Sequence, residues 1–278
     1  MGDLDPVKSY IASQAGKSSS SKRQARIVAS GFIEFSRKTD PLKWTRDDVF
    51  GYLNTIEDYA RATQYNYSVQ LRAFFRYHGR VDLAELVKPP RRAEILKAVP
   101  SDEEVARMKA VAENQRDGLI VQVLSRTGLR VGELCNLDVG DIDFENRQIH
   151  VRAKEDWHPK GLKEGFVPFD SETGEQIKAY LGGRDSGLLF DLSESYVRRI
   201  VKDLAEKARV KDASEVTPHS LRHQFAVHFL RHGGDVRSLQ KILRHADLST
   251  TAVYLTYTED AVAQAYDRVF EKAEEAEA

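Results

Sequence analysis

The 278-residue chain contains one cysteine, Cys135. A lone cysteine forms no internal disulfide, and no Cys/His spacing of the structural-metal type accompanies it. A reducing, cytoplasmic setting is therefore expected. No window approaches the roughly 18 consecutive apolar residues of a membrane span. The opening stretch MGDLDPVKSY is acidic and then polar, unlike a secretory leader. Internal repeats and low-complexity tracts are also lacking. Net charge is small as well, 42 Lys+Arg against 43 Asp+Glu, which on its face argues against a nucleic-acid partner.

That balance hides an asymmetry. Residues 1–98 hold 17 Lys+Arg and 11 Asp+Glu, leaving 25 basic and 32 acidic residues for the rest. Much of the acid lies in discrete stretches such as EKAEEAEA at the end. A basic half with an acidic tail fits a nucleic-acid clamp whose tail contacts protein. Residues 1–88 read as a helical unit. ARIVASGFIEFSRK has helical apolar spacing, TRDD at Thr45–Asp48 is a capping-box pattern, and ATQYNYSVQLRAFFRYHG is an amphipathic helix ended by Gly79. That helix carries Arg72, Arg76, Tyr65, Tyr67 and His78. It is either a surface helix with aromatics in the core or a helix lying on a nucleic-acid backbone. Pro89 and Pro90, followed by basic residues, cannot continue a helix, and residues 89–100 read as a linker. Residues 101–278 mix classes. They hold a helix capped at Ser101, a buried helix GLIVQVLSRTGL, strands in DIDFENRQIHVRA and EGFVPFD, and helices capped at Ser193 and Thr217.

Four polar features stand out against packing. Arg130 in TGLRVGEL has Glu133 as its helical neighbour; both read as buried, where an arginine is paired or functional. Lys154 ends the strand IHVRAK, with Lys160 and Lys163 in the following loop; lysines on a hairpin tip are ordinarily solvated. In HSLRH, His219 and Arg222 share the N-terminal end of a helix, whose free N–H groups suit an anion. His223 and His228 read as packing or surface residues. Last, RHADLSTTAVYLTY offers His245, a run of hydroxyls, and two tyrosines, Tyr254 and Tyr257.

Taken together and in order, TGLRVGEL, the hairpin lysine, HSLRH and LRHADLSTTAVY resemble the tyrosine recombinases, also called the phage integrase family, and within it the Xer-like recombinases of bacteria and archaea. The likeness covers residues 100–270 and, more loosely, the helical half. The separations of 24 (Arg130 to Lys154), 23 (Arg222 to His245) and 9 residues (His245 to Tyr254) agree with it. The resemblance implies an all-α, SAM-like N-terminal core-binding domain. It also implies a mainly α catalytic domain with a small antiparallel β-sheet (α+β), the two closing as a C-shaped clamp on double-stranded DNA. It implies that Arg130, Lys154, His219, Arg222 and His245 are catalytic, that Tyr254 is the nucleophile and that Glu133 supports the site. It further implies site-specific recombination without metal, cofactor or ATP, on inverted half-sites, by a homotetramer assembled on DNA from free monomers or dimers.

The chemistry suits these side chains. A tyrosine attacking a phosphodiester conserves the bond energy in a phosphotyrosine and splits one exchange into two steps. Two arginines offer planar donor forks to the oxygens that gain charge. A lysine protonates the leaving 5′-oxygen, and His219 accepts the tyrosine proton. Two departures stand out. Arg244 occupies a position where Xer-like chains usually carry glycine, and the loop KEDWHPKGLKEGF is longer than usual, which leaves Lys160 as a rival to Lys154. Tyr257 is the rival nucleophile. A type IB topoisomerase-like relaxing enzyme and a catalytically silent DNA-binding protein are the alternative functions. The target sequence, any accessory proteins, and the choice between dimer resolution and integration are not encoded in these motifs.

Overall fold

A computed structural model of the chain describes residues 5–91, 99–155, 157–159, 164–245, 251 and 254. The chain divides into two compact units, residues 1–95 and 96–278. The described residues are mainly helical, with one three-stranded antiparallel sheet. Among them no helix is long and apolar enough to cross a membrane.

The first unit holds α1 (Pro6–Ser13), α2 (Ser19–Ser36), α3 (Arg46–Asn54), α4 (Arg61–Tyr77) and α5 (Val81–Leu86). The Thr45 capping box forms as the sequence predicts: the Thr45 hydroxyl takes the Asp48 N–H and the Asp48 carboxylate takes the Thr45 N–H. In α2 the buried residues Ala25, Val28, Ala29 and Phe32 follow the 3.6-residue period. In α4 the buried set is Ser68, Leu71, Phe74 and Phe75. Phe32 meets Trp44 and Phe75 edge to face, at 5.4 and 4.9 Å. Arg76 and Tyr77 face solvent, while the His78 ring lies 3.0 Å from the Pro6 carbonyl oxygen. The aromatics of α4 thus belong mostly to the core, and its arginines lie outside it. Of the expected linker, residues 89–91 and 99–100 lack regular structure, and 92–98 lie outside the described residues.

The second unit begins with α6 (Asp102–Ala110), capped by Ser101 and Glu104. It continues through α7 (Gln115–Thr127), α8 (Val131–Cys135), β1 (Ile142–Asp143), β2 (Gln148–Val151), β3 (Gly165–Pro168), α9 (Ser171–Leu181), α10 (Glu194–Lys207), α11 (Pro218–Arg231) and α12 (Val236–Leu243). The strands pair in the order β1-β2-β3, with Ile149 opposite both Ile142 and Val167. These three residues join Ile120, Leu124, Ile177, Val201 and Leu221 in one core. The sequence reading did not anticipate α9; its Asp170 cap and Gly182 end are ordinary helix signals. The final-helix expectation for YDRVFEKAEEAEA lies outside the described residues.

Two features of this core aim residues at one place. Gly128 ends α7 in a left-handed conformation, φ 64°, and a Cβ there would stand 2.5 Å from Phe225 Cδ1. Only glycine combines that turn with the close approach of α11. The turn carries Arg130 to the start of α8. On the other side α11 packs along α7 and α12 lies against β3.

Candidate active site

Arg130 sits at the start of α8, and Glu133 holds it twice. Glu133 Oε2 accepts the Arg130 backbone N–H at 2.8 Å, and Oε1 accepts Arg130 Nη1 at 2.8 Å. The Glu133 side chain is 1 % exposed. Burial pushes its carboxyl up, but Arg244, the Arg130 N–H and the Arg130 guanidinium outweigh burial and hold it below the ordinary range. The carboxylate is therefore charged and buried among arginines.

Arg222 projects from α11 and is 1 % exposed. Its Nη1 donates to the Gly128 carbonyl, and Nη2 donates to the Leu243 carbonyl at 2.6 Å. Nη2 also lies 3.1 Å from His245 Nε2. Burial and the neighbouring Arg130 push the guanidinium down to about 9, with Glu133 acting in the opposite direction. Arg222 thus ties the turn after α7 to the end of α12 and points its charge at His245.

Burial, then Arg222, Arg130 and Arg244, push His245 down to about 4. The ring is neutral at pH 7. With Nε2 accepting from Arg222, Nδ1 carries the proton and donates to Thr251 Oγ1 at 2.9 Å. Thr251 is fully buried. The sequence reading placed it in a helix start without this role; a hydroxyl six residues after a histidine is too weak a signal to assign.

The lowered His245 value has a measurable consequence. The unfolded chain takes up this proton near pH 6.5, the folded chain only near 4. Between these values the unfolded state binds more protons, so stability falls as pH falls through the window. Urea unfolding of the full chain across that range shows the slope, and His245→Gln flattens it. A residual slope of the same sign comes from His78, which burial also depresses.

Tyr254 is 3 % exposed and packs with Phe225, Leu239 and Leu243. It is close enough to Arg222 to act on its charge. The His223 ring stands 5.3 Å from Tyr254 and 4.5 Å from His219, so it neighbours both. His219 itself is exposed at the first turn of α11. His223, read from the sequence as packing or surface, is therefore a neighbour of the candidate nucleophile. Tyr257 lies outside the described residues.

Lys154 is held elsewhere. Its ammonium donates to the Asn136 carbonyl and to Asp138 Oδ2, and pairs with Asp141 at 2.9 Å. Burial raises the Asp141 carboxyl, but Lys154, the Asp138 N–H and Arg152 together bring it below its usual value. The hairpin position agrees with the sequence reading; the two aspartates around it were not anticipated. Lys160 and Lys163 lie outside the described residues.

The structure thus brings together Arg130, Glu133, Arg222, His245 and Tyr254, with His219 beside His223 and Lys154 held in a separate ion-pair group. One set of possible metal ligands also occurs among the described residues, Asp102, His228 and His232, with ligand atoms within 4.8 Å of one another. The exposed Asp102 accepts from Gln224 at 2.6 Å and pairs with His228 Nδ1 at 2.8 Å, linking α6 to α11.

A mainly helical unit with a small antiparallel sheet, bearing two arginines, a histidine and a tyrosine at one point, defines the class. Residues 98–260 match the phage integrase family, more than half of the chain. The chain belongs to that family, the tyrosine recombinases. It is 36 % identical over 284 residues to tyrosine recombinase XerA of Pyrococcus furiosus, covering 95 % of this chain and 93 % of the relative. A crystal structure of XerA recombinase superposes with TM-score 0.54 at 30 % identity, covering 95 % of this chain and 97 % of that one. The Tn1549 transposon integrase bound to transposon right-end DNA shares the fold, with TM-score 0.70 at 19 % identity over 97 % and 99 % of the two chains.

Proposed function

We propose that this protein cleaves and rejoins DNA at specific sites through a 3′-phosphotyrosine on Tyr254. The observation that carries the reading is the convergence of Arg130, His245 and Tyr254 on the buried Arg222. In the first step the Tyr254 oxygen attacks the phosphorus, the bond to the 5′-oxygen breaks, and a 5′-hydroxyl leaves. In the second, a 5′-hydroxyl of another strand attacks and releases Tyr254. Arg130 and Arg222 hold the non-bridging oxygens as they gain charge. His245, neutral and oriented by Thr251, accepts from Arg222 and orients that guanidinium in the site. His219 accepts the tyrosine proton, and Lys154 gives a proton to the leaving oxygen. Residues 1–88 act as the core-binding domain, 89–100 as the linker and 101–278 as the catalytic domain with a tail helix. Four protomers act on two duplexes with inverted half-sites in the cytoplasm, as in dimer resolution or the integration of a mobile element.

Two tests bear on this reading. Strand exchange between two labelled duplexes carrying a selected site supports recombination; relaxation of supercoiled DNA without exchange supports the topoisomerase alternative. Lys154→Ala should slow cleavage by about 10²–10⁴-fold, the usual weight of a general acid. Cleavage should return on DNA whose bridging 5′-oxygen is replaced by sulfur, because a thiolate leaves without a proton. Absence of rescue would remove Lys154 from the acid role.

A further inference from the structure

Arg244 is costly where it stands. It closes α12 in the left-handed region, φ 53° and ψ 42°, a conformation that glycine adopts freely and other residues at a cost of about 1 kcal/mol. Its side chain is 4 % exposed. Its Nε is buried and meets no acceptor among the described residues, and burial pushes the guanidinium down despite Glu133. The aliphatic stem passes the start of β3, where a Cβ on Gly165 would stand 3.3 Å from Arg244 Cδ. Strain, a buried charge and an orphaned donor are retained together most readily where the site uses them.

The head group explains the retention. Arg244 Nη2 donates to Glu133 Oε2 at 2.5 Å, and Nη1 donates to the Ile242 carbonyl at 2.9 Å. Glu133 Oε2 also holds the Arg130 backbone, so Oε1 alone meets the Arg130 guanidinium. A buried carboxylate with both oxygens available would take a guanidinium fork to fork. It would then draw Arg130 inward and cancel its charge.

We propose that Arg244 is a positioning residue of the phosphoryl-transfer site: it occupies one oxygen of Glu133, limits that carboxylate to a single-point hold on Arg130, and leaves the other donors of Arg130 to the scissile phosphate. A second effect follows from the first. Arg130 and Arg244 share one carboxylate, whose charge also acts on the nearby Arg222, so the pocket keeps a net positive charge. This assignment rests on the reading of the site as a phosphoryl-transfer centre.

The test uses the full chain on a suicide DNA substrate that traps the covalent adduct. Arg244→Gly keeps the backbone conformation and removes the guanidinium. Single-turnover cleavage should fall about 10- to 100-fold, less than loss of a direct oxyanion donor, while the Kd for the site stays within about 3-fold, since the Arg244 side chain is buried. Arg244→Lys should recover part of the rate, and should serve if the glycine variant folds poorly. Combined with Glu133→Gln, the loss should be smaller than the product of the single losses, because the two act through one group. Wild-type rates in Arg244→Gly, multiplicative losses, or equal losses in affinity and rate would overturn the assignment. An NMR titration of His245 in the DNA-free protein needs no catalysis. The histidine value should rise from about 4 in Arg244→Gly and stay in Arg244→Lys, while Arg222, Arg130 and His223, which also lower it, remain in both. An unchanged value would overturn the proposal. A wild-type protein that forms no adduct would instead overturn the phosphoryl-transfer reading on which it rests.

Discussion

Tyr254→Phe should abolish the covalent protein–DNA adduct and leave DNA affinity within about 2-fold of the original, since one oxygen is removed and every cation remains. Loss of a nucleophile is felt on the order of 10⁶-fold, beyond the range of an adduct assay. The change is cheap for the fold. The ring keeps its packing with Phe225, Leu239 and Leu243, and no cavity opens. Loss of activity at unchanged melting temperature therefore separates chemistry from folding. Tyr257→Phe should retain the adduct. Adduct formation by Tyr254→Phe, with loss in Tyr257→Phe, would move the nucleophile by three residues.

Arg222→Met is the second large effect, and magnitudes decide its form. The guanidinium is pushed from its ordinary range to about 9. A depression of that size corresponds to a burial cost on the order of 5 kcal/mol. The cost is present in full at pH 7, where both folded and unfolded arginine are charged, and is relieved as pH rises through 9. Against it, removal leaves the Gly128 and Leu243 carbonyls without this donor, at about 1–3 kcal/mol each. The two effects nearly cancel, as for other buried charges replaced by an apolar side chain of similar volume. Stability measured in urea should thus move by less than about 2 kcal/mol, while cleavage falls by at least about 10²–10³-fold. A collapse of the fold with retained specific activity in the surviving fraction would make Arg222 a structural residue.

Much of this site was legible because its chemistry is written in short motifs. The Thr45, Ser101, Ser193 and Thr217 caps form where hydroxyls precede helices, since capping acts over three residues. Arg130 and Glu133 are three apart and meet as helical neighbours do. His245 meets Arg222 and Tyr254 packs nearby, at separations the motif order implied. What escaped depends on the tertiary fold. Arg244 meets Glu133 across 111 positions, and no local pattern links them. Seen alone, Arg244 was a departure from an expected glycine; only the αL cap and the buried carboxylate explain it. Lys154 was legible as a hairpin lysine, although β2 stops three residues before it, at Val151; its capture by Asp138 and Asp141 follows from how the turn after α8 folds back on the strand. His223 escapes notice in the sequence because a histidine one residue from an arginine carries no signal until the helix face is known.

Tyr254 is proposed to become joined to DNA. The most direct measurement incubates the full chain with a nicked suicide site in the presence of a chelator, digests the trapped complex, and maps the nucleotide-bearing peptide by mass spectrometry. The expected result is a 3′-phosphonucleotide on Tyr254, formed without divalent metal. A nucleotide on Tyr257 or on a non-tyrosine residue, or no adduct on any cleavable site, would contradict it.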